Sequence, residues 1–271
     1  MKISAAVCLF LILSVPAFGQ SPRVQELLDS SFVYLDRNQL DSAELYLKKT
    51  LRAEPDSPIN PFLMNNLGTI QRRLGKKDEA LQAYTAALAQ YPKNPTFLES
   101  RASLFAEIGQ PGNAIIDYTT LLDERPDDAE ALYQRGLLYL QMKNSDLAEA
   151  DFNRMLTLNP DGYYARLGFA SLYKIRGDYA ESEKIYNYLI DKEPMRPETY
   201  AGRAELYLLL DKPGKASADA TNAIRLAGSG NTNPYYYVIR YRAKLLLHEE
   251  KSAMQDLEKA RGMGYTLYFP L

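Results

Sequence analysis

The two residue types that most often carry site chemistry, histidine and cysteine, occur once each, as His248 and Cys8. A zinc site of the usual kind needs several such ligands, and a thiol–imidazole pair needs both residues in one folded chain. No glycine-rich phosphate loop follows a strand, and no G-x-S-x-G elbow is present. Carboxylates are plentiful, but they scatter over segments that read as solvated helix surface. His248 falls near a turn and reads as an ordinary surface residue. No cofactor, no metal and no catalytic group is therefore expected, an enzyme of unknown type being the remote alternative. One charged constellation does recur: Arg101 with Asp117, Arg135 with Asp151, and Arg203 with Asp219. A guanidinium fork suits a carboxylate at two points. At the corresponding places elsewhere stand Leu67 with Ala83 and Phe169 with Ile185, so both members turn apolar together. The pairs are expected to face each other between two helices as structural ion pairs. The last such pair is expected to be Arg242 with Asp256.

The elements that would position these residues are repeats. Pro92, Pro126, Pro160 and Pro194 recur at a constant interval of 34 residues, and a proline cannot continue a helix. Gly68, Ala102, Gly136, Ala170 and Ala204 keep the same interval, as do Ala80, Ala114, Ala148, Ser182 and Ala216. Tyr84, Tyr118, Phe152 and Tyr186 form an aromatic column that becomes Ala220 in the next unit. Small residues let two helices approach, and the ring fills the space beside them. The units read as residues 24–57, 61–94, 95–128, 129–162, 163–196, 197–230 and 234–264, with a C-terminal cap over 265–271. The first has Ser30-Ser31 where others have an apolar and a small residue, the second has Gln71 where an aromatic is expected, and the seventh reads as having a shortened inter-helix turn around His248.

In the unit 129–162, Leu132, Gly136, Tyr139, Ala148, Phe152 and Pro160 follow one pattern, which Leu98, Ala102, Phe105, Ala114, Tyr118 and Pro126 match in the unit before it. On these residues the chain resembles the tetratricopeptide repeat family, whose unit is a helix–turn–helix of about 34 residues. The resemblance covers almost all of the chain after the first twenty or so residues. It implies an all-α fold, a right-handed superhelical solenoid of tandem helix–turn–helix units in a single domain over residues 20–271. Atypical end units are expected, because each end must cover an exposed core face.

The resemblance also implies a concave surface lined by the first helix of each unit, at about its second, fifth, ninth and twelfth positions. Those positions give Phe62 and Asn65 in the second unit, Tyr133, Leu137 and Leu140 in the fourth, and Tyr164 and Leu167 in the fifth. Tyrosine and large apolar side chains favour binding hot spots, so these seven are the candidate partner-binding residues, with packing between units as the alternative for Tyr133, Leu137, Leu140, Tyr164 and Leu167. Some members of the family hold a partner's C-terminal carboxylate with Lys and Asn on this surface. Asn65 is followed one turn later by Thr69, and no unit has Lys at the fifth position with Asn at the ninth, so that mode is not expected here.

The chain begins Met-Lys, continues through an apolar run from Ile3 to Val15, and reaches Pro16-Ala17-Phe18-Gly19-Gln20. This reads as an export signal over residues 1–19 with the cut after Gly19. Its removal takes Cys8 with it, so no disulfide is available and the core must hold the protein together. The formal charge is −2, with no basic excess to neutralise phosphates, so no nucleic-acid partner is expected. No stable membrane insertion is expected after cleavage. The function that follows is a scaffold or adaptor outside the cytoplasm, periplasmic or extracellular in a bacterium, which binds a protein or peptide segment. The alternative is a self-assembling component of an envelope or secretion complex.

Overall fold

The computed structural model describes residues 21–228 and 232–265; the expected signal at 1–19 and all but Tyr265 of the expected C-terminal cap lie outside them. Among the described residues there are helices and no strands. The helices come in pairs. These are α1 (Pro22–Asp36) with α2 (Leu40–Ala53), α3 (Asn60–Arg73) with α4 (Lys77–Gln90), α5 (Pro95–Glu107) with α6 (Pro111–Glu124), and α7 (Ala129–Gln141) with α8 (Ser145–Leu158). They continue with α9 (Tyr163–Arg176) and α10 (Tyr179–Lys192), α11 (Pro197–Leu209) and α12 (Pro213–Ala227), and α13 (Pro234–Leu246) and α14 (Glu250–Gly262). The fold is an all-α helical solenoid. It divides into two compact units, the first ending at Leu138 and the second beginning at Tyr139.

Local signals place the helix ends. Proline opens several helices at a position whose N–H has no intrahelical partner anyway. The Asn94 side chain accepts from the Thr96 and Phe97 amides, and Asn233 accepts from the Tyr235 amide. The fifteenth position of every repeat carries a positive φ: Asn38, Gly75, Gly109, Lys143, Gly177, Asp211 and His248. This is the left-handed residue that turns the chain from the first helix into the second. His248 is therefore exposed in a turn. The turn of the seventh repeat is not shortened: two residues after its left-handed position α14 begins at Glu250, as α10 begins at Tyr179 two residues after Gly177.

The ring column forms the core of each pair. Tyr84, Tyr118, Phe152 and Tyr186 are all 3% exposed or less. A Cβ built on Gly68 would stand 2.7 Å from the Tyr84 ring, and one on Gly168 would stand 2.6 Å from Phe152. The rings thus lie against backbone, at Gly68 in the small-residue column of the same repeat and at Gly168 at the sixth position of the next.

The Arg and Asp columns meet as bidentate pairs. Arg101 donates from Nε and Nη2 to Asp117 at 2.8 Å each, and Arg203 does the same to Asp219 at 2.7 and 2.9 Å. In the seventh repeat Asp256 is met by Arg240, at 2.8 and 2.6 Å, and by Lys244 at 2.8 Å, and not by Arg242, which is exposed. With a turn of ordinary length, Arg240 occupies the seventh position and Arg242 the ninth, on another face of α13. Asp151 is buried; Arg135 and Asp151 fall in different compact units. The third nitrogen of each arginine reaches back one repeat, to the twenty-fifth position: Arg101 to Thr85, Arg135 to Thr119, Arg203 to Asn187 and Arg240 to Thr221. The column thus ties repeats together as well as the two helices within one.

A second junction joins the eleventh position to the twenty-first of the preceding repeat. Gln71 donates to Glu44 at 3.1 Å, and Tyr207 donates to Glu183 at 2.9 Å. Gln71 thus fills the aromatic slot with an amide that meets a buried carboxylate. Glu44 is 5% exposed and also takes Lys48 and Lys76, each at 2.6 Å. Burial works against its charge, but the two lysines and Gln71 prevail and hold its pKa at about 2.

Candidate functional site

Within each compact unit the first helices of successive repeats touch one another, α3 with α5 in the first, α9 with α11 and α11 with α13 in the second. Their shared face is where the second, fifth, ninth, twelfth and thirteenth positions of each repeat align.

In the first unit Phe62 is half-buried and sits in an aromatic trio, 5.6 Å from Tyr91 and 5.2 Å from Phe97 between ring centres. Asn65 is only 7% exposed, and its Oδ1 has no hydrogen-bond partner. Tyr133 and Leu137 are half-buried. In the second unit Tyr164 is 41% exposed, but Leu140 and Leu167 are buried. Contrary to the expectation from the sequence, Leu140 and Leu167 are core residues, and they follow the alternative of packing between units. For Leu167 the column shows the reason, since Leu167, Ala201 and Val238 at the fifth position are all buried. Tyr164 stands edge-on against Tyr163 at 5.1 Å, with the Arg196 guanidinium above both rings.

The ninth position meets the ring column from above. The hydroxyls of Tyr84 and Thr69 lie 3.2 Å apart, and those of Tyr118 and Ser103 lie 3.3 Å apart. Charged residues flank these phenols. Beside Tyr84, Arg72 donates to Glu107 at 2.6 Å and Lys77 adds a second pair at 3.1 Å. In the second unit Lys174 pairs with Glu205, which also accepts from the Tyr235 hydroxyl at 2.6 Å. Burial disfavours the charge on Lys174, yet Tyr186 and Glu205 carry its pKa above the usual range. Burial first, and then Glu205, raises the Tyr235 phenol, so it stays a proton donor.

The thirteenth position, which lies one residue beyond those read from the sequence, holds the most exposed apolar row of this face. In the second unit it is Ile175, Leu209 and Leu246, each about half exposed at 48%, 55% and 51%, with Leu245 beside the last. The 34-residue register, carried one position further along each first helix, contains this row. Among the described residues no group of His, Cys, Asp and Glu is disposed to hold a metal, and no helix is long and apolar enough to cross a membrane.

Models of the tetratricopeptide repeat match residues 129–161, and 33–95 and 65–120. No curated protein matches the chain. Among solved structures, a tetratricopeptide repeat protein from Parabacteroides merdae ATCC 43184 is 46% identical, with a TM-score of 0.81, over 90% of this chain and 94% of that one. A thermophilic TPR protein from Thermus thermophilus is 21% identical, with a TM-score of 0.56, over 69% of this chain and 98% of that one. PilW, a type IV pilus biogenesis factor, is 17% identical, with a TM-score of 0.56, over 76% of this chain and 94% of that one. The last two show a shared fold. With the helix pairs, the ring column and the 46% identity over nearly the full length of both chains, this protein belongs to the tetratricopeptide repeat family.

Proposed function

We propose that this chain is a non-catalytic scaffold outside the cytoplasm that binds a segment of another protein along the first-helix face. The observation that carries the reading is the row Ile175, Leu209 and Leu246. Apolar side chains in register on the first helices of consecutive repeats, each left about half exposed, form a patch of the kind that marks an interaction site. The family membership supports it, because repeat solenoids of this kind act as protein-binding scaffolds. The apolar N-terminal run ending at Ala17 and Gly19 supports the export reading.

End-to-end self-assembly is the weaker reading, because among the described residues the outward positions of the first and last helix pairs are polar. The second repeat turns Leu63, Leu67 and Leu74 toward its predecessor. The first has Glu26, Ser30 and Arg37 at those positions, none of them buried. At the other end, Glu258 and Arg261 of α14 stand exposed where the sixth repeat has Thr221 and Ile224. Polar outer faces are what keep the ends of a solenoid soluble.

The test is affinity capture from envelope extract with the wild type and an Ile175→Lys/Leu209→Lys/Leu246→Lys variant. The substituted side chains are half exposed, so the melting temperature should hold. A protein retained by the wild type and lost by the variant is the expected result. Equal retention by both would remove the row from the binding surface.

A further inference from the structure

The apolar row of the second unit ends on α13, where Leu245, Leu246 and Leu247 stand exposed one after another. The twelfth position shows why this end is bare. Leu140 is buried there, and Leu208 is half-buried and packs against a cluster that includes Ala243 of α13. Leu245 holds the same position in the seventh repeat, and among the described residues no helix follows α14 to cover it.

The chain that leaves α14 is directed at α13. Gly264 takes a left-handed φ of 87°, and the Tyr265 amide donates to the Ala260 carbonyl at 3.0 Å, a bond that ends a helix and turns the chain. The Tyr265 ring then lies 6.2 Å from the ring of Tyr235, at the second position of α13. An earlier repeat shows where that route leads. Tyr91, leaving α4, lies against Phe62 at the second position of α3, and the chain goes on as α5, which touches α3. The residues after Tyr265, outside the described ones, are Thr266-Leu267-Tyr268-Phe269-Pro270-Leu271. Pro270 cannot continue a helix ladder and biases Phe269 to extended backbone. In an extended chain alternate side chains share one side, which groups Leu267, Phe269 and Leu271. The reach also fits. Six extended residues span about 20 Å, and Leu246 stands about 16 Å along α13 from Tyr235 at an α-helical rise.

We infer that residues 266–271 run along α13 from Tyr235 toward Leu246 and lay Leu267, Phe269 and Leu271 on the exposed leucines. The segment is the chain's own occupant of the last part of the apolar row, in the place where the first helix of a further repeat would pack. The seat itself stands on the turn at Gly264, the Tyr265–Tyr235 contact and the bare leucines. Its consequence rests on the scaffold reading: a partner must displace the segment to reach Leu246.

The sequence contains no tryptophan, so Phe269→Trp in the full chain reports on this segment alone. The expected result is emission shifted to the blue and shielded from acrylamide, with both effects lost when Leu245→Ser/Leu246→Ser is added. Leu245 and Leu246 are exposed, so the two serines leave the helices in place, and circular dichroism checks that they do. Emission of a tryptophan in water, or a blue shift that survives the serines, overturns the inference. A blue shift that grows with protein concentration, together with a dimer in sedimentation, overturns it as well, because the segment then sits on a second copy. The consequence is read by capture from envelope extract, where a chain cut after Tyr265 should retain more partner than the full chain. Equal retention by the two sinks the displacement. A partner indifferent to the Ile175, Leu209 and Leu246 substitutions sinks the apolar row as a binding surface and leaves the tryptophan result standing.

Discussion

The two compact units use one internal plan and present different surfaces. Inside, both carry a buried ring between small residues and a bidentate Arg–Asp pair, Arg101 with Asp117 in the first and Arg203 with Asp219 in the second. On the first-helix face they part. At the thirteenth position the first unit has Asp36, Arg73 and Glu107, and the second has Ile175, Leu209 and Leu246. The first is a charged surface with unmatched acids at Glu99 and Glu130, and the second is an apolar row over a satisfied polar belt of Lys174, Glu205 and Tyr235. The columns that fill space cannot vary without opening a cavity or a clash, whereas the columns that face outward are free to diverge.

The largest expected effect concerns the shared plan. Asp219→Ala strands the Arg203 guanidinium, whose side chain is only 17% exposed, and should cost about 3–4 kcal/mol in urea unfolding. Arg203→Leu/Asp219→Ala should recover most of that loss, because the second repeat already fills the same slots with Leu67 and Ala83, both buried. The same cycle at Arg101 and Asp117 should give the same pattern. A large difference between the two cycles would break the claim of one internal plan.

Next is a difference in acid sensitivity. Glu44 has a folded pKa of about 2 against an ordinary 4.5. Its contribution is therefore fully present above about pH 4.5 and is lost as pH falls through 2. The matching junction in the second unit is a Tyr207–Glu183 hydrogen bond, where burial and Glu183 push the phenol up to about 12, so the tyrosine stays neutral throughout that acid range. Hydrogen exchange across that window should show α2 to α4 losing protection before α10 to α12. Glu44→Gln should flatten the difference. Simultaneous loss in both regions of the wild type would refute the assignment.

The smallest effect lies in the turns. At the left-handed fifteenth position the first unit has Gly75 and Gly109 beside Asn38, while the second has Lys143, Asp211 and His248 beside Gly177, with Lys143 and His248 at φ 60 and 62. Lys143→Gly and His248→Gly should each raise stability by about 0.5–1 kcal/mol, because glycine meets no Cβ penalty there. Gly75→Lys should lower it by a similar amount. Melting temperatures of the three variants decide the matter.

Much of the fold is legible without coordinates. The proline interval, the small-residue columns and the ring column are properties of helix pairs that repeat at fixed register, and their side chains meet within one repeat. The Arg–Asp pairing is legible for the same reason. It fails at Arg242 because a turn taken as short moves the choice by two residues and so onto another face of the helix. The seven proposed contact residues are less legible. Leu140 and Leu167 are core, because whether a position at the edge of a face is covered depends on the neighbouring first helix. That helix lies a whole repeat away in sequence.

The order of residues is enough to fix the period, the helix pairs, the ring and small-residue columns and the charged pairs within a repeat, since each depends on contacts between nearby segments of fixed geometry. Which charges are matched, and which apolar side chains stay uncovered, emerges only when the helices pack. Glu107 finds Arg72, and Glu205 finds Lys174, across more than 30 residues of chain. Glu99 sits on the same face and finds no cation. Long side chains select their partners from the neighbouring repeat by reach and rotamer, and that selection exists only once the repeats are stacked.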